Sequence, residues 1–107
     1  MPITLLNAPI LTTCGTFRMH AVSVERAREL VCSMGFASAI GHETTARFLG
    51  RLLDVDCPMI RREYSQAVGE LALVLRLHRR LPEGVTLASL GEIESVGYSL
   101  TLLERII

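Results

Sequence analysis

The stretch LALVLRL, Leu71–Leu77, decides the fold. Apolar residues fill both parities of its first five positions. It therefore reads as a central strand covered on both faces. Such a strand belongs in a sheet with helices packed on it. Just upstream, Ile60–Gln66 is separated from it by AVGE, a turn of hairpin length, so the two segments are predicted to pair as a hairpin. Downstream, HRRLPEG leads into a short helix in which Ser89 and Glu92 have the spacing of a capping box. Tyr98–Ile106 follows as the last strand. Tyr98, Leu100, Leu102 and Ile106 alternate with Ser99, Thr101 and Arg105.

Toward the N-terminus the pattern turns helical. Phe48, Leu49, Leu52 and Leu53 form the buried stripe of one helix, which Asp54–Pro58 breaks. FASAI, 36–40, is a short strand running into that helix. Before it, Ser23 makes an N-cap for VERARELVCSM, where Val24, Ala27, Val31 and Met34 recur at helical spacing until Gly35 stops the helix. Thr16–His20 is a weak strand. Ile3–Leu6 is a short apolar strand ending at Asn7, and NAPILTTCG is a loop. The sum is one small α/β domain over residues 1–107. Its mixed sheet has about five or six strands, with two to three helices packed on it.

Half of the 107 residues are hydrophobic, enough for a packed interior and against wholesale disorder. MPITLLNAPI lacks the basic segment and long apolar stretch of a secretory signal. The longest apolar run is too short to span a bilayer. The expected location is the cytoplasm, with no membrane partner. Cys14, Cys32 and Cys57 are odd in number, widely spaced and without a CxxC pair, so they are expected as small buried or semi-buried side chains. Eleven positive charges balance eleven negative ones, which removes the basic signature of a duplex-DNA binder. All eleven are arginine, a side chain suited to bidentate recognition of phosphate. Arg61, Arg62, Arg76, Arg79 and Arg80 crowd the second half.

Chemistry has few places to sit. His20 and His78 read as surface or strand-end residues. His42 stands in AIGHETTARFL, where a helix begins. Gly41 lets backbone approach a ligand closely. The amides of Glu43, Thr44 and Thr45 would be free N–H groups of a helix N-terminus, which favour an anion. A histidine beside a bound phosphate can act as a general acid. The other reading is that His42 merely caps the helix or packs at its start. RRLPEG, Arg79–Gly84, is likewise either a phosphate-binding cluster beyond a strand end or a solvated charged turn. No P-loop or GxGxxG pattern, HExxH or GxSxG elbow is present, and no spacing suggests a metal site.

Three pieces in order carry a resemblance: LLNA near the start, IGH followed by an acidic and two hydroxyl residues, and RL-x-EG at ungapped spacing from GH. The chain resembles, over nearly its whole length, the ring nucleases of the type III anti-CRISPR kind. That resemblance implies a small dimeric α/β protein that needs neither metal nor cofactor. Its ligand would be cyclic tetra-adenylate, cut to linear di-adenylates bearing a 2′,3′-cyclic phosphate, which switches off type III CRISPR signalling. It implies His42 as the catalytic residue, with Arg80 and Glu83 beside it. Asn7, Gly41, Thr44, Thr45, Arg61 and Arg80 would bind substrate, Arg61 from a strand after the second helix. Ile10 departs from the family, which often has a small hydroxyl residue there, and Pro82 replaces an acidic one. His78 and Arg79 occupy positions usually uncharged. Two other functions stay open: a module that sequesters the ring without cutting it, and a small regulatory interaction dimer.

Overall fold

The computed structural model describes residues 2–8, 14–78 and 97–107. Seven elements follow in order: β1 (Ile3–Leu6), β2 (Phe17–Ala21), α1 (Val24–Met34), β3 (Phe36–Ser38), α2 (Glu43–Leu53), β4 (Leu71–Leu77) and β5 (Tyr98–Arg105). They form one mixed five-stranded sheet, ordered β2-β5-β4-β1-β3. β4 sits at its centre, as the apolar parity of LALVL requires. It runs parallel to β1, with Leu5 level with Leu73, and antiparallel to β5, with Leu73 level with Leu102. β1 also pairs parallel with β3, placing Leu5 opposite Ser38. β2 is an antiparallel edge strand beside β5.

The two helices end where the local chemistry says they should. Ser23 Oγ accepts the Arg26 amide at 3.1 Å, capping α1. Gly35, at φ 73°, returns its amide to the Val31 carbonyl at the other end. That positive φ suits glycine best, which is why VERARELVCSM stops there. α2 ends at Asp54, which takes the left-handed conformation without being glycine.

The core has two parts, one on each face of the sheet. Ile3, Leu5, Leu73, Leu75 and Leu100 point toward the helices and meet Leu30, Val31, Phe48 and Leu49. On the opposite face Leu6, Ala72, Val74 and Leu103 pack with Tyr64. β5 thus alternates as read, but its second face is not purely wet, because Leu103 is buried there.

One strand expectation fails. Residues 60–66 form no strand, and Arg61 lies outside any ladder. The reason is topological: β1 and β5 already occupy both edges of β4, leaving a hairpin partner no hydrogen-bonding edge. The turn itself forms, with the Glu70 amide on the Ala67 carbonyl and Gly69 at φ 85°. The segment before it crosses the second face instead, burying Tyr64 and Gln66 and leaving Arg61, Arg62 and Glu63 outside. Gln66 Nε2 donates to the carbonyls of Glu70 and Leu103 at 2.7 and 2.9 Å. β3 ends at Ser38 rather than Ile40, and β5 at Arg105 rather than Ile106.

Arg105 ties distant parts of the chain together. Its guanidinium donates to the carbonyls of Gln66 (2.7 Å), Ile107 (3.2 Å) and Cys14 (3.3 Å). It also lies 5.8 Å from the centre of the Phe17 ring. Among the cysteines only Cys57 is buried; Cys14 and Cys32 are exposed, against expectation, because one lies outside the strands and the other on the outer face of α1. Burial pushes the Cys57 thiol up from its ordinary value. The expected helix around Ser89 and Glu92 lies outside the described residues. No helix among the described residues is long and apolar enough to cross a membrane.

Candidate functional site

β1, β3 and β4 are parallel, so their C-terminal ends fall on one edge of the sheet. Crevices beyond such ends are where α/β sheets bind ligands. Asn7 follows β1 at that edge and is exposed. By register it lies level with Ile40, one residue from Gly41. Arg76 and His78, both exposed, stand at the C-terminal end of β4. His78 is held there through its amide, which donates to the Gly97 carbonyl at 2.9 Å.

Gly41 and His42 lead into α2. His42 is the N-cap, with extended backbone (φ −130°, ψ 120°), and its carbonyl accepts the Ala46 amide at 3.0 Å. The His42 ring contributes too: Nδ1 accepts the Thr45 amide at 3.4 Å and lies 3.3 Å from Thr45 Oγ1. An accepting Nδ1 puts the proton of the neutral ring on Nε2. The capping reading of His42 therefore holds in the structure, and the ring remains exposed. Of the three amides expected to be free, that of Thr45 is taken by His42. Those of Glu43 and Thr44 have no partner among the described residues, and they carry the positive end of the helix dipole.

Arg61 is brought to the same place. Its Nε donates to the Gly41 carbonyl at 3.1 Å. A Cβ on residue 41 would stand 3.0 Å from Arg61 Cγ, so glycine lets the arginine stem lie close over the chain. Ser38 Oγ donating to the Pro58 carbonyl (2.6 Å) and the Ile60 amide on the Ile40 carbonyl (3.0 Å) fix the register of this return segment. The structure thus gathers Gly41, His42, Thr44, Thr45 and Arg61 at one helix terminus, with Asn7 on the neighbouring strand end. Arg80 and Glu83 lie outside the described residues, as do Ile10, Arg79 and Pro82.

Thr45 is the residue whose role changed most. It is buried, with both its amide and its hydroxyl against the His42 ring. The spacing of three residues could have shown this, because N-cap side chains reach that far. Tyr64 lies under the opposite face, its phenol pushed up from the ordinary value by burial and by the nearby Glu70 carboxylate.

A family model described as STIV B116-like matches residues 3–100. The chain belongs to that family. An uncharacterized protein of Acidianus two-tailed virus is 35% identical over 103 residues, covering 94% of this chain and 88% of its own. An uncharacterized protein of a Sulfolobus islandicus filamentous virus is 38% identical over 88 residues, covering 80% and 75%. Among solved structures, B116 of Sulfolobus turreted icosahedral virus superposes with a TM-score of 0.75 at 24% identity. That match covers 97% of this chain and 99% of the other. A B116-like fold therefore has relatives in several archaeal viruses, and the site described above falls within the matched residues.

Proposed function

We propose that this B116-like chain is a metal-independent ring nuclease that cuts cyclic tetra-adenylate to linear di-adenylates with 2′,3′-cyclic phosphate ends. Acting so, it would switch off type III CRISPR signalling from the cytoplasm. The observation that carries the reading is the N-terminus of α2, where an exposed His42 stands beside two amides without partners among the described residues and the Arg61 side chain. The likeness of IGH and RL-x-EG to the ring nucleases supplies the substrate.

The chemistry suits these groups. A ribose 2′-OH attacks its own adjacent phosphorus and gives up its proton to water or a nearby carboxylate, the P–O5′ bond breaks, and the departing oxygen takes a proton. The amides of Glu43 and Thr44, with Arg61, would hold the phosphate oxygens and offset their growing charge. The bound phosphate favours the protonated His42 ring, which donates from Nε2 to O5′. Thr45 Oγ1 then accepts from Nδ1, whereas beside the neutral ring it donates. Thr45 is thus a positioning residue usable in both proton states. Asn7 would contact the ribose from the end of β1. By the family likeness Arg80 would act on the phosphate, and Glu83 would orient the attacking hydroxyl or brace Arg80. A two-fold dimer would set two His42 side chains against opposite phosphodiesters of the ring, giving two cuts.

Incubation of the purified protein with the ring in EDTA tests the reading. Di-adenylate should form, and His42→Ala should abolish it while leaving the fold intact. Absence of product, or unchanged turnover by that variant, would overturn the mechanism. One observation favours a second reading, sequestration without cleavage: the His42 ring is already engaged as the cap of α2, its Nδ1 accepting the Thr45 amide. Tight binding with intact ring recovered afterwards would select it.

A further inference from the structure

We propose that the cleft between α2 and the segment returning from its C-terminus is a nucleobase subsite that takes a purine ring by one edge and one face. That the purine is adenine rests on the ring-binding function proposed above; the cleft itself does not.

The cleft encloses about 420 Å³, within the range of small-molecule sites. Glu43, Arg47 and Arg51 line its helix side, and Asp56, Pro58 and Met59 the returning side. The three helix residues are spaced four apart, so they form one stripe roughly 12 Å long. Its first member follows His42 directly in the chain, so one end of the cleft lies beside the α2 N-terminus. Gly50 permits this geometry: the Val55 carbonyl passes 2.7 Å from where a Cβ would be. Any side chain there would push the two walls apart.

The charges on the walls argue for a base rather than a phosphate. Arg51 and Asp56 are exposed and share the cleft, yet among the described residues they form no ion pair. A guanidinium only donates and a carboxylate only accepts. A purine edge, with ring-nitrogen acceptors beside an N–H donor, satisfies both at once. A bare phosphate would satisfy Arg51 and be repelled by Asp56. Pro58 and the 43% exposed Met59 offer the flat face an apolar surface. Arg47 can stack from the helix side. Its ion pair with Glu43 (3.1 Å) joins side chains 67% and 71% exposed, and such a pair is readily exchanged for a ligand.

The test is an amide-resolved NMR titration with adenosine 5′-monophosphate, using ribose 5-phosphate as the control that lacks a base. Adenosine monophosphate should give saturable shifts at Gly50, Arg51, Asp56 and Met59. Arg51→Ala and Asp56→Ala, both exposed positions, should each weaken it roughly tenfold. Equal shifts with ribose 5-phosphate would make this a phosphate site and overturn the proposal. So would unshifted cleft amides, or wild-type affinity in both variants. Ring cleavage is measured in parallel. Adenosine monophosphate filling the cleft of a protein that neither binds nor cuts the ring keeps the subsite and removes the nuclease function. Cleavage unchanged by Arg51→Ala and Asp56→Ala, with the cleft amides unshifted, does the reverse.

Discussion

Replacing Arg105 with alanine should destabilise the fold far more than a residue at the end of the last strand would ordinarily do. Its guanidinium satisfies three carbonyls, those of Gln66, Ile107 and Cys14, and rests against Phe17. The bond to Gln66 is the shortest, at 2.7 Å, and is partly buried. A hydrogen bond from a charged donor in such a place contributes about 1.5–3 kcal/mol. The other two carbonyls have solvent nearby and can take water instead, so they add little. A cation over an exposed ring adds about 0.5 kcal/mol. The loss should then be about 2–3 kcal/mol, which for a chain of this size lowers Tm by roughly 10 °C or more. Thermal melts followed by far-UV circular dichroism measure it, with Arg105→Lys as the control. A lysine ammonium is a single point and cannot span three carbonyls, so it should recover less than half of the loss. A Tm for Arg105→Ala within about 2 °C of wild type, or full rescue by lysine, would refute the knot.

Gly50→Ala sets helix propensity, which gains about 1 kcal/mol, against overpacking on the Val55 carbonyl and Cys57 amide, which costs about 1–3 kcal/mol. Urea denaturation should show a net loss; a net gain would mean that the returning segment moves freely. Thr45→Val keeps the amide that caps onto His42 but removes the hydroxyl. Under the proposed nuclease function kcat for the ring should fall about tenfold with KM unchanged, the loss of one hydrogen bond in the transition state; a rise in KM alone would instead place Thr45 on the substrate. Tyr64 and Cys57 both have raised pKa values, chiefly from burial. Their protons are held more tightly in the folded chain, so the stability they confer is present below their ordinary values and is lost as pH rises through and beyond them. Urea midpoints should fall above about pH 9, and Tyr64→Phe should flatten the part of the fall near pH 10; an unchanged slope in that variant would exclude the phenol as the cause.

Features set by neighbours in sequence were legible. The two-sided apolar parity of LALVL placed β4 at the centre, and Ser23 with Gly35 bounded α1. Gly41 and His42 marked the start of α2. What could not be read depends on partners far along the chain. Residues 60–66 have the composition of a strand, yet pairing with β4 needs a free edge of that strand, and β1 and β5 had taken both. Arg105 alternates correctly in β5, but two of its three carbonyl partners lie 39 and 91 positions away. The cleft beside α2 arises from a loop folding back on a helix glycine, which no periodicity marks. In the site, Asn7 and Arg61 were expected with His42 by likeness to a family; β1–β3 pairing supplies the physical cause for Asn7, and the bonds of Ile60 to Ile40 and Arg61 to Gly41 supply it for Arg61.

The strand order has a consequence for how the chain must be made. β5 is the last of the described elements in sequence but lies between β2 and β4. Until residues 98–105 leave the ribosome, β2 has no ladder to join and β4 presents one open edge rich in leucine and valine. The nascent chain can assemble β1, β3 and β4 around α1 and α2, yet it carries that edge exposed. Unpaired apolar edges of this kind recruit other chains. Pausing during synthesis, or a stop codon a few residues before Tyr98, would therefore yield aggregation rather than a smaller folded protein.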